Sequence, residues 1–223
     1  MIERSMTDRT TARRLAAESV AAGEPTAWFE TLYAAAEQGE AVVPWADLEP
    51  NPFLVRWAAA GRATGHGRAI VIGCGLGDDA EYLAGLGYAV VAFDVAPTAV
   101  AAARRRFPSS EVDYRVADLL DLPPDWIGAF DFVLEVYTVQ VLLDEARRTA
   151  IANSAALVGP GGTLLVLARA RDEDGDPGQM PWPLTRAEID AFAADGLSPI
   201  AVDEVLDDED PPVRRWVAEF HRS

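Results

Sequence analysis

The stretch Gly73-Cys74-Gly75-Leu76-Gly77 narrows the fold more than any other part of the chain. It follows a short apolar run, residues 68–72, and precedes a segment of helical patterning over residues 78–86. Three glycines in five residues allow a tight strand-to-helix turn and leave no Cβ in the path of a ligand. The helix start beyond it offers backbone N–H groups that have no partner inside the helix. A chain built around such a turn is expected to hold a small molecule against its backbone there.

The same alternation continues downstream. Apolar runs predict strands at 88–93, 112–116, 130–136 and 163–168. Helices are expected at 97–106, with Pro97 in the first turn, and at 144–158, with Gly159-Pro160-Gly161-Gly162 as a breaker after it. Strands and helices alternating at this length mean a parallel sheet in a doubly wound α/β fold. A helix at 185–194 then precedes two strands, 199–205 and 213–221, joined by the turn-rich segment 206–212. These strands are expected to pair as an antiparallel hairpin at one edge of a mostly parallel, seven-stranded, Rossmann-like sheet. Residues 1–65 read as helices at 9–22, 25–38 and 52–60, a helical cap on a core spanning 66–223, within a single domain.

Charge excludes several partners. The chain carries 36 acidic residues against 19 basic ones, for a net charge of −17. Phosphate recognition needs clustered positive charge, so neither nucleic acid nor an anionic membrane surface is an expected partner. No apolar run approaches the roughly 20 residues that span a bilayer, and the N-terminus lacks the apolar core of a secretory signal. A cytoplasmic location is the expectation. One cysteine forms no internal disulfide and builds no cysteine zinc site. His66 lies in a turn before the first strand and His221 near the C-terminus, so no metal is expected.

The acids that follow the strands suggest the ligand. Asp94 closes the second strand, 17 residues beyond Gly77. A carboxylate there can accept hydrogen bonds from both hydroxyls of a ribose. Asp118 closes the third strand, and with Leu119 beside it suits an adenine amino group and ring face. The glycine spacing is G-x-G-x-G, with Asp78 where a dinucleotide fingerprint would place its third glycine. With the terminal hairpin, these features point to S-adenosylmethionine (product S-adenosylhomocysteine), with a nicotinamide or flavin cofactor as the alternative. Candidate cofactor contacts are Gly73, Cys74, Gly75, Gly77, Asp79, Asp94, Val95, Asp118, Leu119, Glu135 and Val136. Asp79 reads equally as a first-turn acid favoured by the helix dipole. Cys74 reads as a small packing residue, since no histidine lies near it to activate a nucleophile.

The motifs resemble those of the thiopurine, thiol and halide methyltransferases, a branch of the class I S-adenosylmethionine-dependent enzymes. The resemblance runs through Trp28-Phe29-Glu30-Thr31-Leu32-Tyr33, Gly39 and Pro44-Trp45-Ala46-Asp47, then Val71-Ile72-Gly73-Cys74-Gly75. It continues through Leu122-Pro123, Ile127-Gly128 and Phe130-Asp131, and ends in Asp176-Pro177-Gly178, Pro181-Trp182, Leu184 and Ala187-Glu188-Ile189. It implies N-terminal helices that cap the cofactor, with Trp28 and Trp45 over it; aromatic faces attract a sulfonium cation. The chain departs from the thiopurine-type pattern at Val136, where those members tend to carry Arg.

Methyl transfer from a sulfonium is an in-line displacement, in which much of the rate comes from positioning the nucleophile and excluding water. A soft acceptor such as a thiol needs little more, and a small-molecule thiol is the first expectation. A high-pKa oxygen or nitrogen acceptor needs a base within reach. Tyr137 and Glu135 are the candidate catalytic groups, and Tyr137, Gln140 and Trp182 the candidate acceptor contacts. The acidic run 172–176 reads as a solvated loop or as part of the substrate mouth, where it would disfavour anions.

Overall fold

A computed structural model describes residues 6–194 and 196–223. Residues 1–5, the start of the expected cap segment, lie outside the described residues. Among the described residues, β1 (Arg68–Ile72), β2 (Ala89–Asp94), β3 (Asp113–Val116), β4 (Phe130–Val136), β5 (Val158–Arg169), β6 (Leu197–Leu206) and β7 (Arg214–Arg222) form one sheet. Its order is β3-β2-β1-β4-β5-β7-β6. The first five strands are parallel to one another, and β7 runs antiparallel to both β5 and β6. This is a Rossmann-like class I methyltransferase fold with the terminal hairpin expected from the sequence.

Ala69, Ile70, Val71 and Ile72 are all buried because helices cover both sheet faces, the reason parallel strands read as unbroken apolar runs. One face packs against α3 (Pro52–Trp57), α4 (Asp78–Gly85) and α5 (Pro97–Arg106), through Leu54, Leu83 and Val100 among others. The other packs against α6 (Asp144–Ala156) and α7 (Arg186–Asp190), through Ile151, Ala155 and Ile189. Strand side chains alternate between these cores: Phe132 and Leu134 enter the first, Val133 the second. Two further helices, α1 (Met6–Ala21) and α2 (Ala27–Glu37), share a separate apolar cluster with Val141 and Met180. No helix of the described residues is long and apolar enough to cross a membrane.

Three element boundaries differ from expectation. Residues 159–162 do not end the pairing. They lie inside β5, whose register against β4 jumps from Phe130↔Val158 to Phe132↔Thr163, so the strand bulges where a break was expected. The helix expected at 144–158 accordingly stops at Ala156. The helix expected at 185–194 keeps only Arg186–Asp190, opened by a capping box of Thr185 and Glu188. Beyond it the bonds Phe192 N–H to Ile189 O and Ala193 N–H to Asp190 O tighten into turns that bury Phe192. No intrinsic propensity reports that demand.

Candidate active site

The carboxyl ends of the parallel strands open into a cavity of about 690 Å³. Its floor is the turn after β1. The Cys74 N–H donates to Phe93 O (2.8 Å), which ties the turn to the end of β2. Asp94, 5% exposed, accepts from Gly75 N–H (3.0 Å) through Oδ2 and from Ala96 N–H (2.9 Å) through Oδ1. Burial pushes the Asp94 carboxyl up to about 6, against the pull of these N–H donors. Each carboxylate oxygen keeps a second lone pair for a ligand hydroxyl. Asp118 turns its own loop by accepting from Leu120 N–H (2.8 Å), and Val95, Leu119 and Val136 line the wall beside these acids.

Gly73 and Gly75 line the cavity with φ of +60° and +51°. A Cβ on Gly75 would stand 2.9 Å from the Tyr33 hydroxyl, and one on Gly73 would meet the Thr138 hydroxyl. Gly73→Ala is therefore expected to destabilise the protein by roughly 1–3 kcal/mol, the usual cost of a left-handed non-glycine residue. Denaturant titration measures it, and an unchanged midpoint would contradict the turn as described. Gly77 is the N-cap of α4 and packs toward Tyr114, away from the cavity lining. Burial and the Asp94 charge push the Cys74 thiol well up, which suits a packing residue and not a nucleophile. Asp79 lines the cavity and accepts from Asn51 N–H (2.6 Å), which ties the start of α3 to the start of α4. Burial pushes its carboxyl up to about 6.

The aromatic roof differs from the sequence reading by one residue. On α2, Phe29 and Tyr33 stand four apart on one helical face and line the cavity. Trp28, 2% exposed, lies behind them, stacked on Phe29 with ring centroids 3.9 Å apart. Its indole N–H donates to Pro25 O (3.1 Å). Trp45 does line the cavity, and its indole N–H donates to the Tyr33 hydroxyl (3.0 Å). The i, i+4 spacing of Phe29 and Tyr33 was the signal that would have found them.

Beyond β4 the candidates divide. Tyr137 lines the cavity at φ +59°, with its N–H bonded to Leu167 O (3.0 Å) and the Arg215 guanidinium 5.1 Å from its ring centre. Burial pushes its hydroxyl up and Arg215 opposes this, so the phenol stays protonated at neutral pH and acts as a donor, not a base. Glu135 does not line the cavity. It is fully buried on the opposite side of β4 from Leu134, and its Oε1 accepts from Thr138 N–H (2.8 Å) and Val139 N–H (2.9 Å). It thereby caps the short turn Val139–Val141. Gln140 borders the cavity, but its Oε1 accepts from Arg169 N–H (2.7 Å). Trp182 points elsewhere, into a smaller cavity with Arg147 and Glu188, while Met180 and Pro181 take its expected place. Sequence reasoning also missed Asn51, Arg169, Arg215 and the acids Asp207, Asp208 and Glu209, all in the lining. Arg169 ends β5, so the rule that singled out Asp94 applies to it equally. The acidic run 172–176 stays outside the cavity, where Asp172 pairs with Arg214 (2.8 Å).

The comparisons with known proteins bear on this arrangement. Residues 69–162, from β1 into β5, match the family model described as a methyltransferase domain. A 2-heptyl-1-hydroxyquinolin-4(1H)-one methyltransferase of Mycobacteroides abscessus is 30% identical over 174 residues, 72% of each chain. The chain belongs to the class I S-adenosylmethionine-dependent methyltransferases. S-adenosylmethionine is the cofactor of this family. Another methyltransferase relative, the ubiquinone biosynthesis O-methyltransferase of Xanthomonas campestris pv. campestris, is 36% identical over 118 residues, and the chain spans about half its length (48%). A structure solved in work on the conversion of a disulfide bond into a thioacetal group during echinomycin biosynthesis superposes with a TM-score of 0.71. It is 26% identical, over 87% of this chain and 93% of that one. The N-methyltransferase NodS of Bradyrhizobium japonicum, solved with S-adenosylhomocysteine, shares the methyltransferase fold: TM-score 0.66, 22% identity, 86% of this chain and 98% of that one.

Proposed function

We propose that this chain transfers the methyl group of S-adenosylmethionine to an acidic oxygen of a small-molecule acceptor. The observation that carries the reading is the buried Asp94 carboxyl at the base of the cavity, clamped to the Gly75 and Ala96 N–H groups. The donor set fits the cofactor: a side-chain-free turn at Gly73–Gly75, a ribose-binding acid at Asp94, a second acid with an apolar neighbour at Asp118–Leu119, and aromatic faces from Phe29, Tyr33 and Trp45. When bound, S-adenosylmethionine supplies an electrophilic methyl group. The described part of the 1–65 segment serves on this reading as a cap; Arg13 of α1 donates to Met180 O (2.8 Å) and fastens the helix to the far rim.

The acceptor chemistry follows from what the cavity lacks. No histidine lines it. Arg215 engages Asp207 (2.6 Å) and Glu209 (2.7 Å), and Arg56 engages Asp208 (2.6 Å), so each of these carboxylates already has an arginine partner. With Tyr137 protonated, the bases among the described lining residues are carboxylates, so a hydroxyl that ionises readily is the oxygen that fits. The relatives named for a hydroxyquinolone and for O-methylation favour oxygen. A sulfur acceptor, the first expectation from the sequence, is the second reading. It keeps the resemblance to the thiol methyltransferases and draws on the likeness to the structure from echinomycin thioacetal work. Production of S-adenosylhomocysteine with 4-nitrophenol and with 4-nitrothiophenol separates the two. Phenol turnover with an inert thiol is expected; the reverse pattern would install the sulfur reading.

A further inference from the structure

We propose that Arg169 is the specificity-determining residue of an anion-binding acceptor subsite, which receives a carboxylate or ionised hydroxyl of the methyl acceptor. The inference rests on the proposed function and names the acceptor class of that same cavity. Arg169 lies at the carboxyl end of β5, directly opposite Arg215 of β7 in the sheet register, and both side chains line the cavity beside Tyr137. Its side chain is only 20% exposed, and among the described residues its one ion pair is a loose approach to Glu209 at 4.0 Å. That acid is already committed to Arg215 at 2.7 Å. Among the described residues the Arg169 guanidinium donates no hydrogen bond. The other buried arginines differ. Arg215 holds Asp207 and Glu209, and Arg147 holds Leu142 O and Glu188.

A largely buried guanidinium without hydrogen-bonded partners is costly, and its five donors suit a carboxylate or phenolate. The surrounding charges sharpen the argument. Arg215 and Arg9, which reaches the cavity from α1, both repel the Arg169 charge, with Glu209 and Tyr137 acting against them. Burial acts in the same direction, holding the guanidinium below its ordinary value. An anion between Arg169 and Arg9 removes that repulsion and supplies the missing acceptors. The cavity is polarised as a result: the acids Asp79, Asp94 and Asp118 line the end under β1, β2 and β3, where a sulfonium and its ammonium group belong. The arginines line the end under β5 and β7, where the acids Asp207, Asp208 and Glu209 are taken up in ion pairs with Arg215 and Arg56. A cationic cofactor and an anionic acceptor thus meet in one cavity, each held by the opposite charge.

Isothermal titration of the protein saturated with S-adenosylhomocysteine tests this, using 4-hydroxybenzoate, 4-nitrophenolate and methyl 4-hydroxybenzoate as probes. The wild type is expected to bind at least one of the two anions about tenfold or more tightly than the neutral ester, and the pair shows which anion is preferred. Arg169→Met is expected to lose that advantage while Arg169→Lys recovers part of it. A structural arginine would lower the melting temperature when removed; Arg169→Met is expected to melt no lower than the wild type, because it relieves an unpaired charge. The proposal fails if the ester binds the wild type as well as the anions, if no anion binds, or if Arg169→Met binds them unchanged. A variant that melts lower also overturns it. Absence of S-adenosylhomocysteine binding, read in the first titration, sinks the parent reading and this one with it.

Discussion

Asp94→Ala is expected to weaken S-adenosylhomocysteine binding about tenfold or more, a loss of at least roughly 1.4 kcal/mol. Two effects combine. The variant lacks the carboxylate that is placed to accept the ribose hydroxyls, and hydrogen bonds to a charged acceptor are the strong kind. It also strips partners from Gly75 N–H and Ala96 N–H, which Asp94 holds at 3.0 and 2.9 Å in a buried setting. Each orphaned buried N–H costs about 1–3 kcal/mol, so the variant should also unfold at lower denaturant. Asp94→Asn is expected to rescue little, because its amide offers one acceptor oxygen and turns an NH₂ toward a donor. Calorimetric titration of the three proteins checks this. Equal affinities would remove Asp94 from the site.

The second large effect concerns Glu135 and pH. Its carboxyl is fully buried, Oε1 serves two N–H groups, and Oε2 is buried without a partner. Burial pushes it up to about 7 from an ordinary value of 4.5, with the two N–H bonds pulling the other way. The folded state therefore favours the protonated acid. The stability this contributes is fully present below about pH 4.5 and is lost as pH rises through about 7. A shift of this size corresponds to roughly 3 kcal/mol. Asp79 and Asp94, both pushed up to about 6, add the same trend at slightly lower pH. The wild type without cofactor should consequently melt higher near pH 5 than near pH 9. Glu135→Gln keeps an acceptor for Thr138 and Val139 but has no proton to lose. Its curve of stability against pH should be flatter by that roughly 3 kcal/mol, with the difference accumulating between about pH 4.5 and about pH 7. Glu135→Leu, which also deletes the cap of the turn Val139–Val141, should be destabilised at every pH. Parallel curves for the wild type and Glu135→Gln would show that the buried acid does not titrate as described.

The end of the cavity proposed for the cofactor was legible because its chemistry is local. Gly73, Cys74 and Gly75 must sit where a strand meets a helix, and Asp94 must sit where the next strand ends, whatever the rest of the chain does. Asp79, Val95, Asp118 and Leu119 followed by the same reasoning, and all of them line the cavity. The acceptor half was less legible. Glu135 and Gln140 looked like site residues because an acid and an amide after the fourth strand face either the ligand or the interior, and a single sequence does not distinguish these. Packing sends Glu135 under a turn and gives the Gln140 oxygen to the Arg169 backbone. Trp28 read as a roof over the cofactor because indoles suit cations, and Trp182 as an acceptor contact, yet each large ring is equally good filling for an apolar cluster.

By itself the sequence determined the alternation of strands and helices, the terminal hairpin and the glycine turn with its facing carboxylate. These rest on periodicity, turn stereochemistry and strand ends, all of which act within a few residues. Only the tertiary structure decided which face of α2 roofs the cavity, that β5 passes through its Gly-Pro-Gly-Gly segment as a bulge, and that Arg169 meets Arg9 and Arg215 from distant parts of the chain. Those outcomes depend on burial and on charges brought together from well-separated parts of the sequence. Desolvation and Coulomb energy are set by distance in space, and separation along the chain does not encode it.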